Sequence, residues 1–293
     1  MDTLESLHRK IGSAGELESV VKTMKAMAAG NIAQYEMATT SLNDYYKNVE
    51  LGMISYLMQK KTQVVKEEIT SKREKSICAI VFGSDQGLVG QFNNLLSDFT
   101  IQAVQKMDGK KEIWSVGERV QEGLSESEYK ATKLFSVPNS VSAIASLVGQ
   151  LLISIEAAKE KDKINEFYIF YNRPKIGVGY EPVSQSLLPL DDNWKHDIDK
   201  RKWPTKKLPQ VVGSLDSTLA ALVTEYLFVS IYKASAESLA SENASRLEAM
   251  QRAEKNINEL LDELNNKYHR LRQSSIDEEL FDVVSGFEAL RKK

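Results

Sequence analysis

Residues 256–290 read NINELLDELNNKYHRLRQSSIDEELFDVVSGFEAL. Within them Ile257, Leu261, Leu264, Tyr268 and Leu271 alternate spacings of four and three, the pattern of an apolar coiled-coil seam. The seam slips by one residue and resumes as Ile276, Leu280, Val283, Phe287 and Leu290. Upstream, Asn243, Leu247, Met250 and Glu254 hold the same frame with two polar members. A continuous helix from Gly213 to Leu290 would be ~110–120 Å long at 1.5 Å per residue. Such a helix has to project from its domain or lie along a partner.

The other end of the chain supplies that partner. Leu17, Val21, Met24, Ala28, Asn31, Tyr35, Ala38, Leu42, Tyr45, Val49, Gly52 and Tyr56 also follow the four–three spacing. Asn31 and Gly52 interrupt this seam, and Gly12, Gly15 and Gly30 each weaken a helix by up to about 1 kcal/mol. All six prolines lie between Pro138 and Pro209, which leaves both ends free for long unbroken helices. Two such arms flanking one domain predict an antiparallel pair. Its seam is ragged and rich in small and polar residues, and reads equally as an asymmetric shaft or as a loosely specified two-helix scaffold.

Between the arms the texture becomes alternating strands and helices. Ser76–Phe82 is a short continuous apolar run, as in a strand buried on both faces. A loop over Gly83–Gly90 leads into a helix over Phe92–Met107, and Glu112–Val116 reads as a second strand. Asn139 or Ser140 can cap a helix carrying Val141, Ile144, Leu147, Val148, Leu151, Leu152 and Ile155. Further strands are expected over Glu166–Tyr171 and Gly179–Leu188, and a charged return loop over Asp191–Lys207. The fold class is therefore α/β with long helices: terminal helices paired as an antiparallel coiled coil around an inserted, largely parallel, Rossmann-like α/β domain. The expected boundaries are residues 1–60, 70–206 and 208–293.

Composition narrows the function classes. A formal net charge of −3 gives no drive toward nucleic acid. A single cysteine, Cys78, excludes an internal disulfide and any CxxC motif. No secretory h-region opens the chain, and the stretch from Val141 to Ile155 falls short of the roughly 20 apolar residues of a bilayer span. The expectation is a protein with no direct membrane insertion. His8, His196 and His269 are scattered, without metal-ligand spacing. Gly83-Ser84-Asp85-Gln86-Gly87-Leu88-Val89-Gly90 invites a phosphate-binding reading, but no Gly-Lys-Ser/Thr follows and the glycine spacing misses GxGxxG. A tight strand-to-helix turn explains it, with Asp85 capping the turn that follows. No catalytic residues, cofactor or metal are expected. A small nucleotide-binding α/β protein and a coiled-coil adaptor are the alternative classes.

Three blocks resemble the γ subunit of rotary F-type ATP synthases. Val21-Lys22-Thr23-Met24-Lys25-Ala26-Met27-Ala28-Ala29-Gly30-Asn31 is similar to that family's KxMxMVAAxK stretch. The run from Gly83 to Asn93 is similar to its SDRGLCGGxN loop. Ser238–Met250, continuing to Arg272–Leu280 and Val283–Gly286, is similar to LASExxARMxAM…RQxxITxEIxEIVxGAxA. The departures are Asn31 for lysine, Gln86 for arginine, Val89 for cysteine, Gln91 for glycine, Asn243 for glutamine and Asp277 for a hydroxyl residue. They suggest a divergent branch, such as the alternate sodium-linked synthases.

The resemblance implies a rotor shaft inside a ring of catalytic and non-catalytic subunits (β and α). It also implies an α/β domain bound to the ε subunit and the membrane c-ring, at the cytoplasmic face of the cell membrane. It implies that Arg272 and Gln273 make polar contacts with a catalytic subunit in one rotational state. Met24, Arg246 and Glu279 match positions linked to coupling, and Met24, Leu280, Val283, Phe287 and Leu290 would serve as bearing contacts.

Overall fold

The computed structural model describes residues 3–62, 75–125, 127–175, 179–190, 203, 205, 207, 210 and 213–291. In chain order the elements are α1 (Leu4–Thr62), β1 (Ser76–Phe82), α2 (Phe92–Gln105), β2 (Lys110–Val116) and α3 (Glu118–Ser125). They continue with β3 (Ala131–Phe135), α4 (Val141–Lys161), β4 (Glu166–Pro174), β5 (Tyr180–Leu188) and α5 (Leu215–Arg291). Two compact units form, residues 1–28 with 246–293 and residues 29–245, and both long helices contribute to each.

The larger unit holds a five-stranded sheet of order β3-β2-β1-β4-β5. Its first four strands are parallel, and β5 pairs antiparallel with β4. The strand β1 is apolar throughout because it is buried on both faces. Cys78, Ile80 and Phe82 pack with α4 and α5, whereas Ala79 and Val81 pack with Leu96 and Val104 of α2 and Val120 and Leu124 of α3. Helices on both faces, together with the central position of β1, give the doubly wound arrangement expected from alternating elements. In the same unit Val49, Met53 and Ile54 of α1 cluster with Tyr226 and Val229 of α5. Gly52 is a point of close approach, since a Cβ there would lie 2.6 Å from Leu222 Cδ2.

The smaller unit is the other stretch of the helix pair. Leu7, Ala14 and Ala28 of α1 and Met250 and Leu264 of α5 are buried, and His8 stands 6.2 Å from Tyr268, ring to ring. The paired terminal helices and the inserted sheet are thus borne out.

Several sequence expectations need correction. The elements α3 and β3 were not anticipated: α3 is a helix of 8 residues and β3 a strand of 5, each too short to show a period. Leu17 and Tyr45, expected in the seam, are exposed, while their neighbours Glu18 and Tyr46 are half-buried. A strict seven-residue frame drifts by about 20° per heptad against a straight helix, so one frame cannot hold along α1. With 21 residues, α4 is long enough to cross a bilayer, and α4 and α5 are both apolar enough by composition. Ile144, Leu147, Val148, Leu151, Ile155 and Ala158 of α4 are buried within the unit. The return loop at 191–207 lies outside the described residues apart from 203, 205 and 207.

The end of β1 allows no side chain. Gly83 donates its N–H to Val116 O at 2.8 Å, and a Cβ on it would lie 2.3 Å from Val120 Cβ. Val120 is fully buried and its Cβ is fixed to the backbone, so it cannot rotate away. Gly83→Ala is expected to destabilise the protein by about 1–3 kcal/mol, the usual range for overpacking, and a lowered denaturant midpoint at unchanged m-value is the check.

Candidate functional site

The loop after β1 has its polar groups turned inward. Ser84 N–H donates to Asn93 Oδ1 at 3.0 Å, Asn93 Nδ2 donates to Ser84 Oγ at 2.8 Å, and Ser84 Oγ donates to Gln86 O at 2.9 Å. Asp85 does not cap the turn that follows it. Its carboxylate accepts from Glu118 N at 3.1 Å and from Val137 N at 2.9 Å, so it caps α3 and ties down the segment after β3. A phosphate-binding loop points such groups at its ligand, and this one uses them within itself. The open cavity of about 890 Å³ beside it carries the carboxylates of Asp98 and Glu122, and Arg119 is paired with Glu122 at 2.9 Å. Among the described residues no group of three or more His, Cys, Asp or Glu side chains is placed to hold a metal. Burial pushes the Cys78 thiol well above its usual pKa, leaving a poor nucleophile.

The loop is instead fastened to α5. Ser238 Oγ donates to Phe82 O at 3.0 Å, and Ser245 Oγ donates to Val89 O at 2.6 Å. Seven residues apart on one helix, the two serines share a face and reach the end of β1 and the loop beyond it. The exposed tip of that loop is Leu88, whose φ of 61° is an uncommon backbone state for a side chain of its size.

Residues from the first motif block also meet the third. Asn31 Nδ2 donates to Asn243 Oδ1 at 3.3 Å, so two departures from the family pattern stand opposite each other. Within the smaller unit Lys25 Nζ lies 2.5 Å from Glu254 Oε2.

The five residues singled out by sequence do not converge on one site. Met24 and Arg246 are half-buried, and the Arg246 Nε atom is shielded from solvent. Arg272, Gln273 and Glu279 are exposed. Arg246 and Arg272 stand ~39 Å apart along the helix at 1.5 Å per residue. The continuation of the seam is a further correction: Ile276, Leu280, Val283 and Phe287 are exposed, and the Leu290 side chain lies outside the described residues. His8 beside Tyr268 shows the reason, because α1 begins only four residues earlier, at Leu4, and α5 runs on past it to Arg291.

Two exposed apolar features escaped the sequence reading. Phe281, at 72% exposure, makes the end of α5 apolar on more than one face. Leu17, Val20 and Met27 form an outward stripe on α1 at three–four spacing, with half-buried Met24 in register. A second periodic set running beside the seam was the available signal.

The family model described as ATP synthase matches residues 3–290. The ATP synthase gamma chain of Pelagibacter ubique is 28% identical over 311 residues, covering 99% of this chain and 100% of that one. The gamma chain of Wolbachia pipientis is 25% identical over 297 residues, with 99% and 100% coverage. Among solved structures, a chain of the Euglena gracilis mitochondrial ATP synthase (OSCP/F1/c-ring, rotational state 3) aligns with TM-score 0.66 and 16% identity, covering 98% of this chain and 94% of that one. A chain of the Tetrahymena thermophila mitochondrial ATP synthase central stalk and c-ring aligns with TM-score 0.57 and 20% identity, covering 80% and 99%. The chain belongs to the ATP synthase family, as a gamma-type central-stalk rotor subunit that is itself non-catalytic and is membrane-associated through its complex.

Proposed function

We propose that the exposed end of α5 turns inside a ring of α and β subunits, while the α/β domain carries ε and rests on the membrane c-ring at the cytoplasmic face of the cell membrane. The observation that carries this reading is the end of α5, where Ile276, Leu280, Phe281, Val283 and Phe287 are bare alongside exposed Arg272, Gln273 and Glu279. Apolar contact has little directional preference, which suits a surface that slides past successive partners. Charged and amide groups do have direction, so Arg272 and Gln273 can hold a catalytic subunit in one rotational state and release it in the next. Met24, Arg246 and Glu279 serve the coupling of rotation to catalysis. Functionally the chain divides into an N-terminal arm at 1–60, a docking domain at 70–206 and a C-terminal arm at 208–293.

The mechanism needs no chemistry from this chain. An asymmetric shaft shifts each catalytic subunit's conformational equilibrium by contacting one conformation better than another. Moving such an equilibrium from 1:99 to 99:1 takes about 5.5 kcal/mol. At about 25 cal/mol per Å² that is a difference of roughly 220 Å² of buried apolar surface, an area within the reach of a few large side chains such as those at the end of α5.

Arg272→Ala and Gln273→Ala in the assembled complex should each lower coupled ATP synthesis by about tenfold, the effect of one lost charge-assisted hydrogen bond of about 1.5 kcal/mol or more. The circular dichroism of the purified subunit should not change. Normal synthesis rates in both variants would contradict the assignment.

The departures at Asn31, Gln86, Val89, Gln91, Asn243 and Asp277, with identities of 25–28% to the relatives above, support a divergent branch of the family. We propose that this branch is that of the alternate, sodium-linked synthases. Reconstituted complex should then make ATP from an imposed sodium gradient in the presence of a proton uncoupler, and synthesis abolished by the uncoupler would refute the assignment.

A further inference from the structure

In the smaller unit most of the large apolar groups between α1 and α5, among them Ile11, Val21, Leu247, Ile257, Leu261 and Leu271, are only half-buried. The buried apolar residues of this unit, among those described, are Leu7, Ala14, Ala28, Met250 and Leu264, two of them alanines. Small knobs in shallow holes leave a helix pair weakly specified against sliding, and a polar pair across the seam is an established way to set register. Lys25 and Glu254 form such a pair. They are 229 residues apart in sequence, with Nζ 2.5 Å from Oε2 and side chains mostly shielded from solvent. Lys22–Glu18, Arg252–Glu248 and Lys255–Glu259 are ion pairs within one helix, although Lys22 also feels the Glu254 carboxylate across the seam. One turn away from Glu254 stand Met250 and Gln251 on one side and Ile257 and Asn258 on the other, so a shift of about 5.4 Å leaves Lys25 without a carboxylate, and only the shift that carries Glu254 toward Lys22 offers Glu254 another ammonium. The larger unit has a pair of the same kind in Asn31 and Asn243, with Asn243 buried and its Nδ2 also donating to Leu239 O at 2.8 Å.

We propose that Lys25–Glu254 is a register lock: it holds α1 and α5 at one axial and rotational setting, so that the pair carries torque as a single body. The torque half of this statement rests on the rotor reading, and the register half does not. The test is a charge-exchange cycle of Lys25→Glu, Glu254→Lys and the doubly exchanged variant. Each is read by amide hydrogen exchange over residues 4–28 of the full-length chain and by the ratio of ATP synthesis to hydrolysis in the assembled complex. Each single reversal sets like charges against each other, and should lower protection over 4–28 about tenfold and reduce the ratio several-fold. The doubly exchanged variant should return both to within about twofold of the parent. Unchanged protection in the single variants would overturn the lock. Failure of the double exchange to restore protection would do so too, since Lys25 and Glu254 would then be acting on separate neighbours. Altered protection at an unchanged synthesis-to-hydrolysis ratio would overturn its part in torque transmission.

Discussion

The antiparallel pairing of α1 with α5 is the constraint on which the rest of the molecule depends. Helices of 59 and 77 residues have no internal means of staying formed at such length, and most helical stability comes from an apolar face that is covered. The need is sharper for α1, where Gly12, Gly15 and Gly30 have no neighbouring atom within 4 Å of a would-be Cβ and only weaken the helix. Each helix gives the other the burial it lacks. In the larger unit that burial is generous, with Met53, Ile54, Tyr226 and Val229 in one cluster. In the smaller unit most of the apolar seam is only half-buried, and the Lys25–Glu254 bridge sets its register.

Because the helices differ in length, pairing also leaves the end of α5 uncovered. α1 begins close to the level of Tyr268, and past it Ile276, Leu280, Val283 and Phe287 of α5 are exposed. Apolar residues that would complete a coiled coil in a longer partner become a bare collar instead. The sheet domain serves as the fixture of this pair. Its β1 loop resembles those that elsewhere cradle phosphates, yet Ser84, Asp85 and Asn93 spend their hydrogen bonds on one another and on the start of α3. Ser238 and Ser245 then fasten the loop region to α5. The turn after β1 thus serves here to hold a helix.

Most of the architecture was legible in the sequence because its signals are long. Strand β1 begins and ends where its apolar run does, and the two arms show their periods over many turns. Short elements were not legible, since α3 and β3 span too few residues for a period to emerge. Nor was the point at which pairing stops, because the four–three spacing of Ile276, Leu280, Val283 and Phe287 is the same whether a partner helix is present or absent. That depends on where the opposite helix begins, which is a tertiary fact. Position 85 teaches a related lesson. An aspartate after a strand signals a cap, but the helix it caps starts 33 residues later. The residues of the candidate site stood out only by resemblance, because exposed polar groups on a helix carry no local signature of a partner.

The central claim is that this chain turns as a unit while its complex works. The direct measurement places a probe on the α/β domain, through Lys130→Cys at an exposed position, with Cys78 too deeply buried to compete for label. The catalytic ring is held to a surface and ATP is supplied. The account predicts unidirectional rotation of the probe in three equal steps per turn, driven by hydrolysis. A probe that stays still while the same molecules hydrolyse ATP would contradict it.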